Sequence, residues 1–401
     1  MGNIFDSYFK LPNGKIIKVQ KLADGRGLIY DPETKVPPLG YIVLYSSDKC
    51  TKNDNERLKV TEDLLENERV RIRIGEDGSI ISFYDKEADR EIFIGRGNQL
   101  WAYFDRTRER DAWFLEPDYQ KNGEELKDIE YIKAIETGPY RGVVEIKRRY
   151  RNSIILQRYI LYQDSKRLDI ETEIDWHERR ILLKALFPFD IRSSYATYEI
   201  AYGHIQRPTH RNTSWDWTKF EVPGHRWVDF SEGDYGVSIL NDGKYGYGAS
   251  ESTITLSLLR SPIYPDFFAD EGRHSFTYSI FTHQGDWRNG TVQEAIALNT
   301  PLIGMILNLD STIKNENSLL EISKSNIILG AMKKAENDNG IILRFYEAYG
   351  ARGKVKIRCN FRVKSAFETN LLEEELQTLK IEDNAIELYF KPYEIKTIKL
   401  L

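Results

Sequence analysis

Six histidines (His177, His204, His210, His225, His274 and His283) and 62 acidic residues are the groups in this 401-residue chain that can move protons or hold a metal. Two carboxyl groups can divide the work of general acid and general base, but with so many acids the presence of a pair decides nothing. A closed metal site gathers several His, Cys or carboxylate ligands at short spacing on one scaffold. The nearest approach is Asp175-Trp176-His177, where alternation along a strand places Asp175 and His177 on one face. A cross-strand or solvated polar pair is the commoner meaning of that pattern, so no metal is expected on this chain. Cys50 and Cys359 lie far apart and imply no disulfide framework. Met1-Gly2 is a weak myristoylation signal, because Asp6 stands where Ser or Thr is needed.

The elements that must position these groups read as strands. Arg69 to Ile74 alternates strictly, turns through Gly75-Glu-Asp-Gly78 and resumes at Ile80, which predicts a hairpin. Gly142–Tyr150, Ile154–Tyr162 and Leu168–Trp176 are long alternating runs in succession, predicting a meander. Good helix formers at useful spacing occur only at Val292 to Leu298 and, less clearly, at Phe367 to Leu379. The fold class expected is therefore all-β with sandwich packing. Composition shifts at Ser46–Glu56 and Leu298–Leu302 divide the chain into a small leading β piece (1–48), a central sandwich (57–299) and a terminal sandwich (300–401). At this length two or three cores are expected.

Bulk composition narrows the partners. With 57 basic and 62 acidic residues the net charge is −5, so no basic surplus is available to neutralise phosphates and a nucleic-acid partner is not expected. No apolar run approaches a membrane span and the first ten residues lack a signal-peptide pattern, which together suggest a cytoplasmic setting. The sequons at Asn212 and Asn289 are accidental in that setting. Aromatic residues make up 12%; packing across strands is their default role, with stacking on sugars as the functional alternative.

One stretch carries more information than the rest. His210-Arg-Asn-Thr-Ser-Trp-Asp216, Phe220-Glu-Val-Pro-Gly-His-Arg-Trp-Val-Asp229 and Leu259-Arg-Ser-Pro-Ile-Tyr-Pro-Asp266, followed by Ala269-Asp-Glu-Gly-Arg-His274 and Gly285-Asp-Trp-Arg288, resemble family 38 α-mannosidases in their order. The resemblance runs from about Leu65 to Ile395 and covers only the carboxyl-terminal half of such an enzyme. It implies a galactose-mutarotase-like double-sheet sandwich in the centre. It also implies an amino-terminal α/β barrel, elsewhere, holding zinc through a His-x-Asp pair with a further Asp and His. None of the six histidines here is followed two residues later by Asp, so the zinc is expected on the barrel and no catalytic residue on this chain.

By the same resemblance, two segments are expected to cap the barrel's sugar pocket: Arg110-Asp111-Ala-Trp113, with Asp111 and Trp113 beside the mannoside, and the turn from Arg260 to Asp266, with Arg260 on sugar hydroxyls. The structural alternatives are a core ring for Trp113 and an ion pair from Arg260 to Asp266 or Asp270. Trp215, Trp227, His210 and His225 are expected to hold the sandwich together. In relatives the leading strands have upstream partners, so the piece before Lys10 reads as truncated, to be completed by a barrel-bearing polypeptide or by self-association. Two other functions compete. A stand-alone carbohydrate-binding module requires an exposed aromatic platform, and a mutarotase-type epimerase requires a positioned His and Glu.

Overall fold

Residues 8–48, 57–107, 109–307 and 314–401 are described by the computed structural model. The three alternating runs fold as neighbouring antiparallel strands, Arg141–Tyr150, Ser153–Tyr162 and Arg167–Trp176, in register through Tyr150↔Ser153 and Leu161↔Leu168. With Ile129–Thr137 outside them at the edge, they belong to a nine-stranded sheet that continues through Gly272–Gln284, Tyr235–Asn241 and Trp227–Ser231 to the edge hairpin Tyr195–Ile200 and Gly203–Pro208. A six-stranded sheet faces it, ordered Gly123–Glu125, Gln99–Phe104, Ile181–Pro188, Thr253–Arg260, Gly246–Ser250 and Val222–Pro223.

Period-two alternation explains the core between them. Val144, Ile146, Ile155, Ile170 and Ile174 point inward from the larger sheet and meet Leu183, Ala185, Phe187, Ile254 and Leu256 from the smaller one. Each such aliphatic or aromatic side chain contributes roughly 1.5–3 kcal/mol by leaving water. The predicted hairpin, Val70–Ile74 with Ile80–Asp85, adds Ile72, Ile74, Ile80 and Phe83 to the same core. Its turn requires Gly78, which has φ +69°. A Cβ there would stand 2.7 Å from Nη2 of Arg148, a fully buried guanidinium that donates to the carbonyls of Asp77, Gly78 and Leu126.

The terminal strands make a second, smaller sandwich. Leu320–Ile322, Gly353–Cys359, Ala385–Phe390 and Ile381–Glu382 lie over a five-stranded sheet with Ile341–Glu347 and Ile395–Leu400 at its centre. Leu343, Phe345, Ile357, Phe390 and Ile398 fill the space between. The helix considered for Phe367 to Leu379 is instead a hairpin, Ala366–Thr369 with Glu375–Leu379. Pairing with Ile395–Leu400 overrides the propensity. The side chain of Asn370 accepts from the amides of Leu372 and Glu374, putting the best helix formers into a turn. The helix expected at Val292 to Leu298 is present as Thr291–Asn299.

In the leading segment, Tyr8–Lys10 is flanked on both sides, by Ile16–Lys18 and Tyr45–Ser47. Gly40–Ile42 finds its partner in Glu316–Ser318. Gln20 fastens this segment to the large sandwich by donating to the carbonyl of Arg141 and accepting from the amides of Tyr140 and Arg141. Among the described residues no helix is long and apolar enough to cross a membrane.

Candidate functional site

Strands Gln99–Phe104 and Thr253–Arg260 flank the same central strand, with Phe104 opposite Ile181 and Arg260 opposite Leu182. The loops that follow them, 105–118 and 261–271, therefore leave the sheet at one end. Arg260 ties them together. Its Nε donates to the carboxylate of Asp105, Nη2 to the carbonyls of Asp111 and Phe114, and Nη1 to the carbonyl of Ala112. Asp111 answers from the other loop, accepting from the amide of Ile263 at 2.6 Å and from Thr107 Oγ1 at 3.0 Å.

The expected residues thus play unequal parts. The guanidinium of Arg260 pairs with neither Asp266 nor Asp270; only its backbone amide reaches Asp270. Arg260 and the buried Asp111 hold the loop in shape, and Asp266 accepts from the amide of Phe268 within its own turn. Trp113 is not a core ring: it is 62% exposed, and Phe114, Tyr264, Phe267 and Phe268 are exposed beside it on the two loops. Trp113 and Tyr264 sit 6.4 Å apart. Arg179 lies over Phe267 at 4.2 Å and is itself held by Glu271. Two stapled loops carrying exposed rings make an aromatic rim, the kind of surface that packs on sugar faces or on apolar protein.

Behind the rim, the outer face of the six-stranded sheet carries a polar cluster that sequence reading did not single out. Lys184 is wholly buried there, paired with Glu221, and Tyr119 donates to the same carboxylate at 2.6 Å. Burial pulls the Lys184 ammonium below its ordinary range and pushes the Tyr119 hydroxyl far above its own. Tyr103 next to them is raised by burial to about 12. Burial likewise raises Asp105, against the opposing pull of Arg260.

Other groups are accounted for structurally. His177 and Asp175 do share a face, 3.0 Å apart and both partly exposed, and among the described residues no three His, Cys or acidic side chains gather to hold an ion. His283 Nε2 lies 2.7 Å from Asp229, whose carboxylate also accepts from Ser238. This buried set bonds onward to Thr291 at the start of helix Thr291–Asn299, so it anchors the helix. Trp227 stacks on Trp287 in the interior as expected. Trp215, expected in the core, is instead 78% exposed on the short helix Ser214–Trp217, and His225 is exposed against Tyr245.

Residues 65–268, which include the first loop and most of the second, match the glycosyl hydrolases family 38 C-terminal domain, and residues 326–398 match the family's C-terminal beta sandwich domain. The chain belongs to glycosyl hydrolase family 38. Alpha-mannosidase G of Dictyostelium discoideum is 37% identical over 353 residues, covering 84% of this chain and 32% of that protein. Human alpha-mannosidase 2C1 is 34% identical over 347 residues, covering 84% and 33%. The family 38 chain thus spans about a third of the length of these curated relatives. In structure it is similar to an alpha-mannosidase from Enterococcus faecalis V583, with a TM-score of 0.81 at 17% identity, covering 99% of this chain and 51% of that one. That likeness extends the family fold over the leading and terminal strands as well as the large sandwich.

Proposed function

We propose that this chain is the sandwich portion of a retaining, zinc-dependent α-mannosidase, and that its aromatic rim closes the sugar pocket of a catalytic barrel carried on another segment or polypeptide. The observation that supports this most directly is the rim itself. Trp113 and Tyr264 are presented to solvent on two loops locked by Arg260 and Asp111, inside the segment that matches the family. The zinc in this reading belongs to the barrel, as the family resemblance implies. The division into pieces 1–48, 57–299 and 300–401 belongs to the same proposal, as does a cytoplasmic setting.

The test is reconstitution. The chain alone is expected to leave a chromogenic α-mannoside intact, and addition of a barrel polypeptide should yield zinc-dependent turnover. Trp113→Ala in that complex should lower kcat/KM about tenfold, the equivalent of roughly 1.4 kcal/mol of lost contact. Turnover by the isolated chain, or an unchanged kcat/KM in Trp113→Ala, counts against the proposal. The exposed rim also favours a second reading, a carbohydrate-binding module that works without a barrel. Sugar affinity in the isolated chain with indifference to any barrel polypeptide would select it.

A further inference from the structure

Beyond helix Thr291–Asn299 the chain runs through Pro301-Leu-Ile-Gly-Met-Ile-Leu307, a strap without a single polar side chain. Leu302, Ile303, Met305, Ile306 and Leu307 are between 57% and 88% exposed. Residues 301–307 form no helix or strand and none has a left-handed backbone. Among the described residues, none bonds to the amides or carbonyls of 302–307. A contiguous exposed apolar surface of this kind marks a place where protein is covered by something else, and an unbroken apolar run, as opposed to alternation, is the pattern of an extended chain covered on both faces. The ribbon of Gly40–Ile42 with Glu316–Ser318 adds to the surface. Leu39 accepts from the amide of Leu319, Tyr41 follows on the same face opposite Asn317, and Leu39, Tyr41 and Leu319 are all exposed. Seven peptide steps join Leu307 to Lys314 at the foot of this ribbon, so strap and ribbon lie within about 25 Å of each other.

Three kinds of occupant can meet such a strap, and its chemistry separates them. A lipid surface covers apolar side chains but cannot satisfy the free amides and carbonyls. A second copy of this chain offers its own strap, and two straps paired edge to edge make a two-stranded ribbon with both apolar faces still in water, which is marginal at best. A cleft in a different folded polypeptide covers both sides and also supplies main-chain partners. This chain spans only 32% and 33% of two curated relatives, so the greater part of their length is available to form that cleft. We propose that residues 302–307 insert into an apolar cleft of the barrel-bearing segment or polypeptide, with Leu39, Tyr41 and Leu319 packing at its mouth. The identity of the partner rests on the function proposed above, whereas the need for a two-sided apolar cleft rests on the strap alone.

Calorimetry and sedimentation of the full chain test this, with the barrel polypeptide used for reconstitution, with neutral phosphatidylcholine vesicles and with no addition. One-to-one binding to the barrel polypeptide is expected, together with protection of the 302–307 amides from hydrogen exchange. Ile303 and Ile306 point to opposite sides of an extended chain, so Ile303→Asp and Ile306→Asp should each weaken binding about a hundredfold. Both positions are exposed, so the unfolding midpoint should stay in place, and Ile306→Leu should bind like the unaltered chain. Failure to bind the barrel polypeptide, or binding that both Asp variants leave intact, overturns the inference. A loss in one Asp variant only means a flat contact and overturns the cleft. Self-association or vesicle binding that the Asp variants abolish, with barrel binding untouched, gives the strap to a second copy or to lipid. A complex that forms through the strap yet fails to cleave mannosides faults the mannosidase proposal only; cleavage that is indifferent to both Asp variants faults the strap only.

Discussion

Arg260 ends one strand and Asp105 follows another, and their side chains close on each other across the intervening strand Ile181–Pro188. The same guanidinium reaches three carbonyls of the 105–118 loop, so one residue holds the loop that carries Trp113 and Phe114. Removing it strands a buried carboxylate, which typically costs about 3 kcal/mol or more. Arg260→Ala should show that loss in chemical denaturation at neutral pH. The loss should shrink as the solution is acidified into the carboxyl range, because a protonated Asp105 needs no counter-ion. Equal losses at pH 7 and in acid would mean that the carbonyl contacts, and not the ion pair, hold the loop.

Gly78→Ala should destabilise the large sandwich by about 3 kcal/mol. A left-handed backbone costs an alanine roughly 1–2 kcal/mol, and a Cβ 2.7 Å from Arg148 Nη2 disturbs charged hydrogen bonds that contribute about 1.5–3 kcal/mol. Thermal unfolding measures the change. A loss of only a few tenths would show that Arg148 can move aside freely.

Lys184 and Glu221 invite a double-mutant cycle. Lys184→Met leaves Glu221 facing a buried gap and should cost about 3 kcal/mol, whereas Lys184→Met combined with Glu221→Gln should recover most of it, since a buried ion pair contributes little net stability over an apolar replacement. Additive losses would mean that the two residues act independently.

His204 gives the fold a pH dependence of definite sign. It is packed 4.3 Å from Trp287 and within 3.4 Å of the Tyr393 hydroxyl, and burial, aided by Arg288 and opposed by Glu347 and Asp286, lowers its pKa below the ordinary 6.5. The unfolded chain therefore binds this proton more readily than the folded one. Its contribution is intact above pH 6.5 and is lost as pH falls through that value towards the lower folded-state pKa. Unfolding midpoints from pH 8 down to 5 should fall more steeply in the unaltered chain than in His204→Phe, which keeps the ring contact. Identical slopes would remove His204 from the account.

The sandwich was legible because alternation states which residues face the core: the runs from Gly142, Ile154 and Leu168 carry their register in the sequence. The hairpin at Phe367 to Leu379 was not, since the pairing that decides it comes from Ile395–Leu400. The site was legible in outline only. Segments 110–113 and 260–266 do meet, and Trp113 is exposed among other rings. Asp105 gave no local signal, because its importance lies in a partner far along the chain, which spacing cannot reveal. Trp215 misled for a similar reason, as a ring in a dense motif looks the same whether it is covered or bare.

The short ribbon joining Gly40–Ile42 to Glu316–Ser318 has a bearing on how the molecule is made. Gly40 permits it, since a Cβ there would lie 2.0 Å from the carbonyl oxygen of Asn317. During synthesis the early strand leaves the ribosome long before its mate exists, and the residues of the whole large sandwich are added in the interval. Closure of so long a loop is entropically slow. The clasp between beginning and end should accordingly be among the last features to form and, under mild denaturant, among the first to exchange its amide hydrogens.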